Sequence, residues 1–190
     1  MTLVEITPKS HNLLLDLRYA TVDNFTGKPI YSRASCYLHP EAEACLRQTV
    51  QLAANIHLKV KIFDAFRPSE AQWALWHHTP DPTYISDPRR GSPHSRGAAV
   101  DLTLVDESGR ELPMGTPFDD LSAASHHGST EISVEARKNR LLLLGLMTDS
   151  GWDFFRNEWW HYQLFDARRL PVLDDRVTPS PMMADSYDLP

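Results

Sequence analysis

The stretch Gly91-Ser92-Pro93-His94-Ser95-Arg96-Gly97-Ala98-Ala99-Val100-Asp101-Leu102-Thr103-Leu104 constrains this chain more than any other. It joins a histidine to an aspartate seven positions later through a glycine-containing turn, and the aspartate falls inside an alternating run. The alternation predicts a strand with Val100, Leu102 and Leu104 on one face and Ala99, Asp101 and Thr103 on the other. A carboxylate in mid-strand is costly to bury unless a cation or hydrogen-bond donors answer it. A metal ion shared by His94 and Asp101 is one such answer, and the rest of the chain must then supply further ligands.

A length of 190 residues suits one well-buried core and is short for two. The formal net charge of −6 argues against nucleic acid or an anionic membrane as partner, and no basic cluster with interleaved aromatics is found. No apolar run approaches the span of a bilayer, and the N-terminus lacks the basic-then-apolar layout of a signal peptide. The cytoplasm is therefore the expected compartment. Cys36 and Cys45 are the only cysteines; a disulfide between them is conceivable, but they read as reduced packing thiols.

Along the chain, Met1 to Pro8 alternates like a strand, as do Leu13, Leu15 and Leu17 up to Arg18-Tyr19, and Asp23 to Pro29 is rich in turn formers. Pro40, with Glu41 and Glu43 in the first turn, opens a helix whose apolar face uses Ala42, Cys45, Leu46, Val50 and Ala53 and which ends at Asn55. Leu58, Val60 and Ile62 predict a strand that runs into Asp64-Ala65-Phe66-Arg67-Pro68, with a helix from Pro68-Ser69-Glu70 through Trp76. Arg67 thus sits at a strand-to-helix corner, a common place for a functional side chain. His77 to Gly91 reads as a loop, Glu107 to Arg110 as a hairpin turn, and Phe118 to Thr130 as irregular. Ser133 and Glu135 open a helix that runs to Met147 and stops at Gly151. Glu158 to Leu164 reads as a strand. Beyond Leu170 the prolines and the loss of periodicity predict a covering arm and a loose tail over about 171–190. The sum is a single α+β domain over 1–190.

His161 is the natural third ligand. Two histidines and an aspartate leave the fourth position of a tetrahedral zinc open, which is the layout of a catalytic site, and a water bound there is activated near neutral pH. Glu158, three residues before His161, belongs in the turn or bulge that enters the strand, close to that water without binding the metal. There it can take a proton and return it to a leaving amine. Arg67 can hold a developing oxyanion or a substrate carboxylate. Each residue also has an ordinary reading. His94 can cap a turn, Asp101 can pair with Arg96, and His161 can be a satisfied core histidine. His126 and His127 receive no ligand role, and Trp159 and Trp160 read as core and pocket wall.

Ser92 to Leu104 closely resembles the S-x-H-S-R-G-x-A-x-D-L-T-L motif of the VanX-type D-alanyl-D-alanine dipeptidases, and Glu158-Trp159-Trp160-His161 resembles their E-W-W-H. The likeness extends to Leu17–Thr21, Asp23–Lys28, Asp64–Pro68 and Met114–Asp119, in order, up to about Leu164. It implies a hedgehog/D-Ala-D-Ala-peptidase-like fold, an antiparallel sheet with flanking helices. It implies one Zn2+ per chain on His94, Asp101 and His161, Glu158 as general base and then acid, and Arg67 stabilising the tetrahedral intermediate. Asp64, counted with the substrate-binding set, would orient Arg67. Asp119 and Tyr19 would bind the ammonium of a small dipeptide and Ser92 would help hold its carboxylate. The implied reaction is hydrolysis of D-Ala-D-Ala; a zinc carboxypeptidase or endopeptidase on peptidoglycan stems and a non-catalytic zinc-stabilised module are the rivals. The physiological setting, glycopeptide resistance or D-alanine recycling, and the oligomeric state leave no mark in the pattern. The chain departs from the family at Ala124, where an arginine is expected before Ser125-His126-His127, and this predicts a differently shaped loop after Asp119.

Overall fold

In the computed structural model the structure describes residues 2–184, so the end of the tail expected beyond Leu170 lies outside the described residues. The first residues form a short strand β1 (Val4–Glu5) and a one-turn helix α1 (Pro8–His11) in place of one longer strand. The cause is local. Pro8 takes the first helical position, and the Thr7 side chain accepts the Ser10 amide at 3.1 Å and caps the turn. Strand β2 (Leu14–Leu15) is cut short because the chain enters a 3-10 turn at Arg18–Ala20. A further short strand β3 (Tyr37–Leu38), unmarked by any alternation, pairs antiparallel with β1.

Helix α2 (Pro40–Ala54) starts and ends where expected, with Asn55 at its C-cap and Ala42, Leu46, Thr49 and Ala53 buried. Strand β4 (Lys59–Asp64) leads through the Arg67 corner into α3 (Ser69–His78), two positions into the segment expected as a loop. Then come β5 (Ala99–Val105), α4 (Val134–Asp149) capped by the Ser133 side chain, β6 (Trp152–Phe154) and β7 (His161–Leu164). The aromatic-rich segment expected as a strand is one only from His161, and Glu158 stands in the entering turn, where its spacing from His161 places it. Gly151, with φ near +89°, reverses the chain after α4 and sets up the β6–β7 hairpin.

The main sheet has the order β2-β4-β5-β7-β6. It is antiparallel except at its edge, where β2 runs parallel to β4. Central β5 is buried at all seven positions, so neither of its faces is wet. One apolar cluster joins Val60, Ile62, Val100, Leu102 and Leu104 to Leu46 of α2 and Leu143 and Met147 of α4. A second contains Tyr19, Tyr31, Phe66 and Leu75 and is closed by Leu173, Met182 and Met183 of the C-terminal arm; Ala20 and Phe118 pack against both clusters. The arm is anchored on the motif itself, since Leu173 N donates to the Ser95 carbonyl at 2.7 Å. The Asp175 carboxylate, buried, accepts the Met182 and Met183 amides at 2.8 Å each. Among the described residues no helix is long and apolar enough to cross a membrane.

Helix α4 turns a face that includes a cation inward. Ala136, Arg140, Leu143 and Met147 are buried while Leu141 is 63% exposed.

Candidate active site

The turn His94–Arg96 delivers His94 to one side of β5, and Gly97, with φ near +64°, makes that turn possible. A side chain at Gly97 would meet the His39 amide nitrogen at 2.9 Å, so only glycine fits. The β5–β7 register pairs Asp101 directly with His161. Cross-strand pairs point the same way, so a local motif and a distant histidine converge.

The converging atoms form a nearly equilateral triangle. His94 Nε2 lies 3.1 Å from His161 Nδ1 and 3.3 Å from Asp101 Oδ1, and His161 Nδ1 lies 3.1 Å from Asp101 Oδ1. Ligands about 2.0–2.1 Å from a tetrahedral metal are separated by about 3.3–3.4 Å. The outer hydrogen bonds bear on which ring nitrogens can act as ligands. His94 Nδ1 donates to the Ala65 carbonyl at 2.7 Å, which leaves Nε2 with a lone pair. His161 Nε2 donates to Gln163 Oε1 at 3.1 Å, which leaves Nδ1 free to act as a ligand. Three electron-rich atoms thus point at one place. Two things can answer them: a proton on His161 Nδ1, or a cation common to all three. Burial would lower the His161 imidazolium and raise the Asp101 carboxyl. The Asp101 hydrogen bond and charge reverse the effect on His161, which is raised; the charge of His94, then the His161 hydrogen bond, hold Asp101 well below the usual carboxylate range. The donor set and geometry fit a divalent metal, and the three residues are buried.

Glu158 stands in the turn before β7, as its spacing from His161 requires, with Oε2 4.0 Å from His161 Nδ1. Burial pushes its carboxyl up to about 8, and the charges of His161 and Arg67 counter this only in part. Arg67 is fixed on three sides. It donates from Nε to Asp64 Oδ2 at 2.9 Å and from Nη1 to Gln72 Oε1 at 3.0 Å, and it packs over the Tyr19 ring at 4.9 Å. Its Nη2 is 3.5 Å from Asp101 Oδ2. The backbone adds a further tie, because Arg67 N donates to the His94 carbonyl.

Tyr19 donates its hydroxyl to Asp119 Oδ1 at 3.0 Å, while Asp119 Oδ2 is buried without a hydrogen-bond partner. Asp119 itself has a left-handed backbone, φ near +62°. Burial, then the charge of Asp101, push its carboxyl up to about 7 against the Tyr19 hydrogen bond. Ser92 Oγ accepts the His94 amide at 3.2 Å. Tyr19, Arg67, Ser92, His94, Asp101, Asp119, Glu158 and His161 all line one cavity of about 770 Å³. Asp64 orients Arg67 as expected, but its place in the substrate-binding set is corrected. It is buried behind Arg67 and does not line that cavity, because its oxygens are taken by Arg67 and, at 2.8 Å, by the Tyr31 hydroxyl.

The ordinary pairing of Asp101 with Arg96 fails on geometry. Arg96 donates to the Leu170 and Arg90 carbonyls and not to Asp101. His126 and His127 are outside the converging group, with the His127 ring against Phe154 and Tyr162. The loop after Asp119 is shaped by a 3-10 turn at Ala123–Ser125, and the Ala124 carbonyl accepts from Arg140 Nη1 at 2.9 Å. Ala65, Gln163, Gln72 and Tyr31 are the supporting residues that the sequence does not single out. Only Gln163 carries a readable signal, two positions after His161 on the same strand face.

A buried two-nitrogen, one-oxygen donor set beside a free carboxylate, in a cleft of an α+β fold, is the arrangement of a metal-dependent hydrolase. The family described as D-ala-D-ala dipeptidase, peptidase family M15, matches residues 1–181. The chain is 42% identical over 176 residues to the D-alanyl-D-alanine dipeptidase of Escherichia coli K12, covering 93% of this chain and 91% of that relative. It is 36% identical over 177 residues to the D-alanyl-D-alanine dipeptidase of Enterococcus faecium, covering 82% and 88%. A third similar protein, from Enterococcus faecalis V583, bears the same name at 32% identity. The chain therefore belongs to the D-Ala-D-Ala dipeptidase family of peptidases.

Proposed function

We propose that the protein is a zinc-dependent dipeptidase that hydrolyses D-alanyl-D-alanine to two D-alanines. The observation that carries this reading is Asp119. Its buried, unpartnered Oδ2 shares a cavity with Glu158 and the three donor atoms, and an ammonium group is the natural partner for it. His94, Asp101 and His161 would hold the zinc. Zinc bound there would lower the pKa of a water in its open position and polarise the scissile carbonyl.

Glu158 takes one proton from the attacking water as the water oxygen bonds to the carbonyl carbon. As the C–N bond breaks, the same carboxyl delivers that proton to the leaving nitrogen, so one water is added and two amino acids leave. Arg67, held by Asp64 and Gln72, faces the oxyanion as it develops. Asp119 and Tyr19 would bind the ammonium end, and Ser92 would help hold the carboxylate. A zwitterion with its charges one dipeptide apart satisfies both ends, whereas a stem peptide lacks the free ammonium at that place.

The test is release of D-alanine from D-Ala-D-Ala by purified protein, with and without a chelator, beside L-Ala-L-Ala and a pentapeptide ending in D-Ala-D-Ala. Chelator-sensitive cleavage of the D,D-dipeptide alone is expected. Cleavage of the pentapeptide would make the protein a stem peptidase. Glu158→Ala should keep metal and fold and lose on the order of 10²–10⁴ in turnover, while His161→Ala should lose metal. An unimpaired Glu158→Ala enzyme would remove the proposed base.

A further inference from the structure

Arg140 is a buried guanidinium on a helix face otherwise made of Ala136, Leu143 and Met147, and it is 1% exposed. Among the described residues no carboxylate lies within ion-pair distance of it. Burial pulls it down to about 10, and the charge of Asp120 only partly restores it. A leucine would fill this position without the desolvation cost of a cation. Its hydrogen bonds give the reason for an arginine. Nε donates to the Met114 carbonyl at 2.7 Å and Nη1 to the Ala124 and His126 carbonyls at 2.9 Å each. Nη2 reaches Thr116 Oγ1 at 3.4 Å.

These acceptors flank both ends of the loop that carries Asp119. The same loop is stitched to the turn that carries Glu158. Trp159 Nε1 donates to Thr116 Oγ1 at 2.9 Å, Trp159 N to the Ser125 carbonyl at 3.1 Å, and His127 N to the Arg156 carbonyl at 3.0 Å. Ser125 Oγ closes the loop on itself through the Asp120 carbonyl at 2.5 Å. The Trp159 ring lies 5.8 Å from the guanidinium carbon.

We infer that Arg140 is a positioning residue that holds the Asp119 loop in register with the Glu158 turn, acting through Thr116, Ser125 and Trp159. A planar fork with five N–H groups serves four acceptors from two ends of a loop at once; a lysine ammonium does not. The carbonyl of Ala124 is thereby fixed by a guanidinium that arrives from α4. The catalytic part of this inference rests on the dipeptidase reading, but its structural part does not.

The experiment compares wild type with Arg140→Lys, Thr116→Val and Thr116→Ser, and uses Leu143→Ala on the same helix face as a stability control. Amide hydrogen exchange should rise at least tenfold at His127 and Trp159 in Arg140→Lys and Thr116→Val, with the β4–β5 amides unchanged. Metal stoichiometry should stay at the wild-type level. The value of kcat/KM for D-Ala-D-Ala should fall by on the order of 10²-fold, as expected for a misplaced site. The preference for the free dipeptide over N-acetyl-D-Ala-D-Ala should shrink, because Asp119 no longer meets the ammonium. Thr116→Ser should restore both exchange and rate. If Leu143→Ala produces the same changes at an equal loss of thermal midpoint, or if exchange is unaltered in both Arg140→Lys and Thr116→Val, the inference is overturned. An Arg140→Lys chain that does not fold leaves the decision to Thr116→Val. A wild type without dipeptidase activity would sink the functional reading alone, since the exchange comparison still decides whether Arg140 couples the two segments.

Discussion

Single residues in this site are defined by what lies behind them. Ala65 and Gln163 turn two imidazoles into lone-pair donors, and Asp64, Tyr31 and Gln72 hold one guanidinium in place. Asp119 is different, because one of its oxygens has nothing behind it. Its folded-state carboxyl is raised to about 7, above the value near 4 of an unfolded chain. Between these values the folded protein binds the extra proton, so Asp119 withdraws stability as pH rises from about 4 to 7. With a chelator present, Asp119→Asn should gain on wild type across that window and show a constant offset below it, read from denaturant midpoints at several pH values. A pH-independent offset throughout would mean that Asp119 is not so raised. At this scale the grouping of His94, Asp101 and His161 was legible in the sequence, through the family motif more than through spacing. Of the supporting groups only Gln163, on the strand face of His161, carried a signal; Ala65, Gln72 and Tyr31 carry none until the chain has folded around them.

At the scale of elements, local rules fixed the helices better than the strands. Pro40 and Asn55 bracket α2, and Ser133 caps α4, because capping is a matter of neighbouring residues. The strands β3 and β6 escaped because two or three residues show no period, and the parallel β2 edge is a choice made by tertiary packing. The turn between His94 and β5 is the element on which the site depends. Gly97 there is left-handed and has the His39 backbone nitrogen and Leu3 against it, whereas left-handed Gly109 has only a Leu14 side-chain carbon at 3.7 Å. Gly97→Ala should therefore cost more than the roughly 1–2 kcal/mol of left-handed strain and should lower metal content. Gly109→Ala should show the strain alone. Calorimetry and metal analysis of the two variants check this, and equal losses would remove the argument from close approach.

The whole molecule is held shut by its C-terminal arm, which lies across α3 and bonds to the motif through Ser95. Asp175 is the arm's fastening. Asp175→Ala would strand two buried amides at about 1–3 kcal/mol each. For a chain of this size that is a drop in thermal midpoint of roughly 4–24 °C, together with new protease sensitivity within 171–184. Unchanged proteolysis would mean the arm is kept in place by Leu173, Met182 and Met183 alone. The pairing of Asp101 with His161 reaches further still, because the two are 60 positions apart. Before β7 zips onto β5 the chain owns two of its three donors, and a two-point grip on a metal is weak. Where β7 docks only after the folding barrier, cation capture falls on its native side. In a chevron, chelator should steepen escape from the native state and leave the refolding limb where it was, so the ion would act as a latch on a finished structure and not as a seed for it.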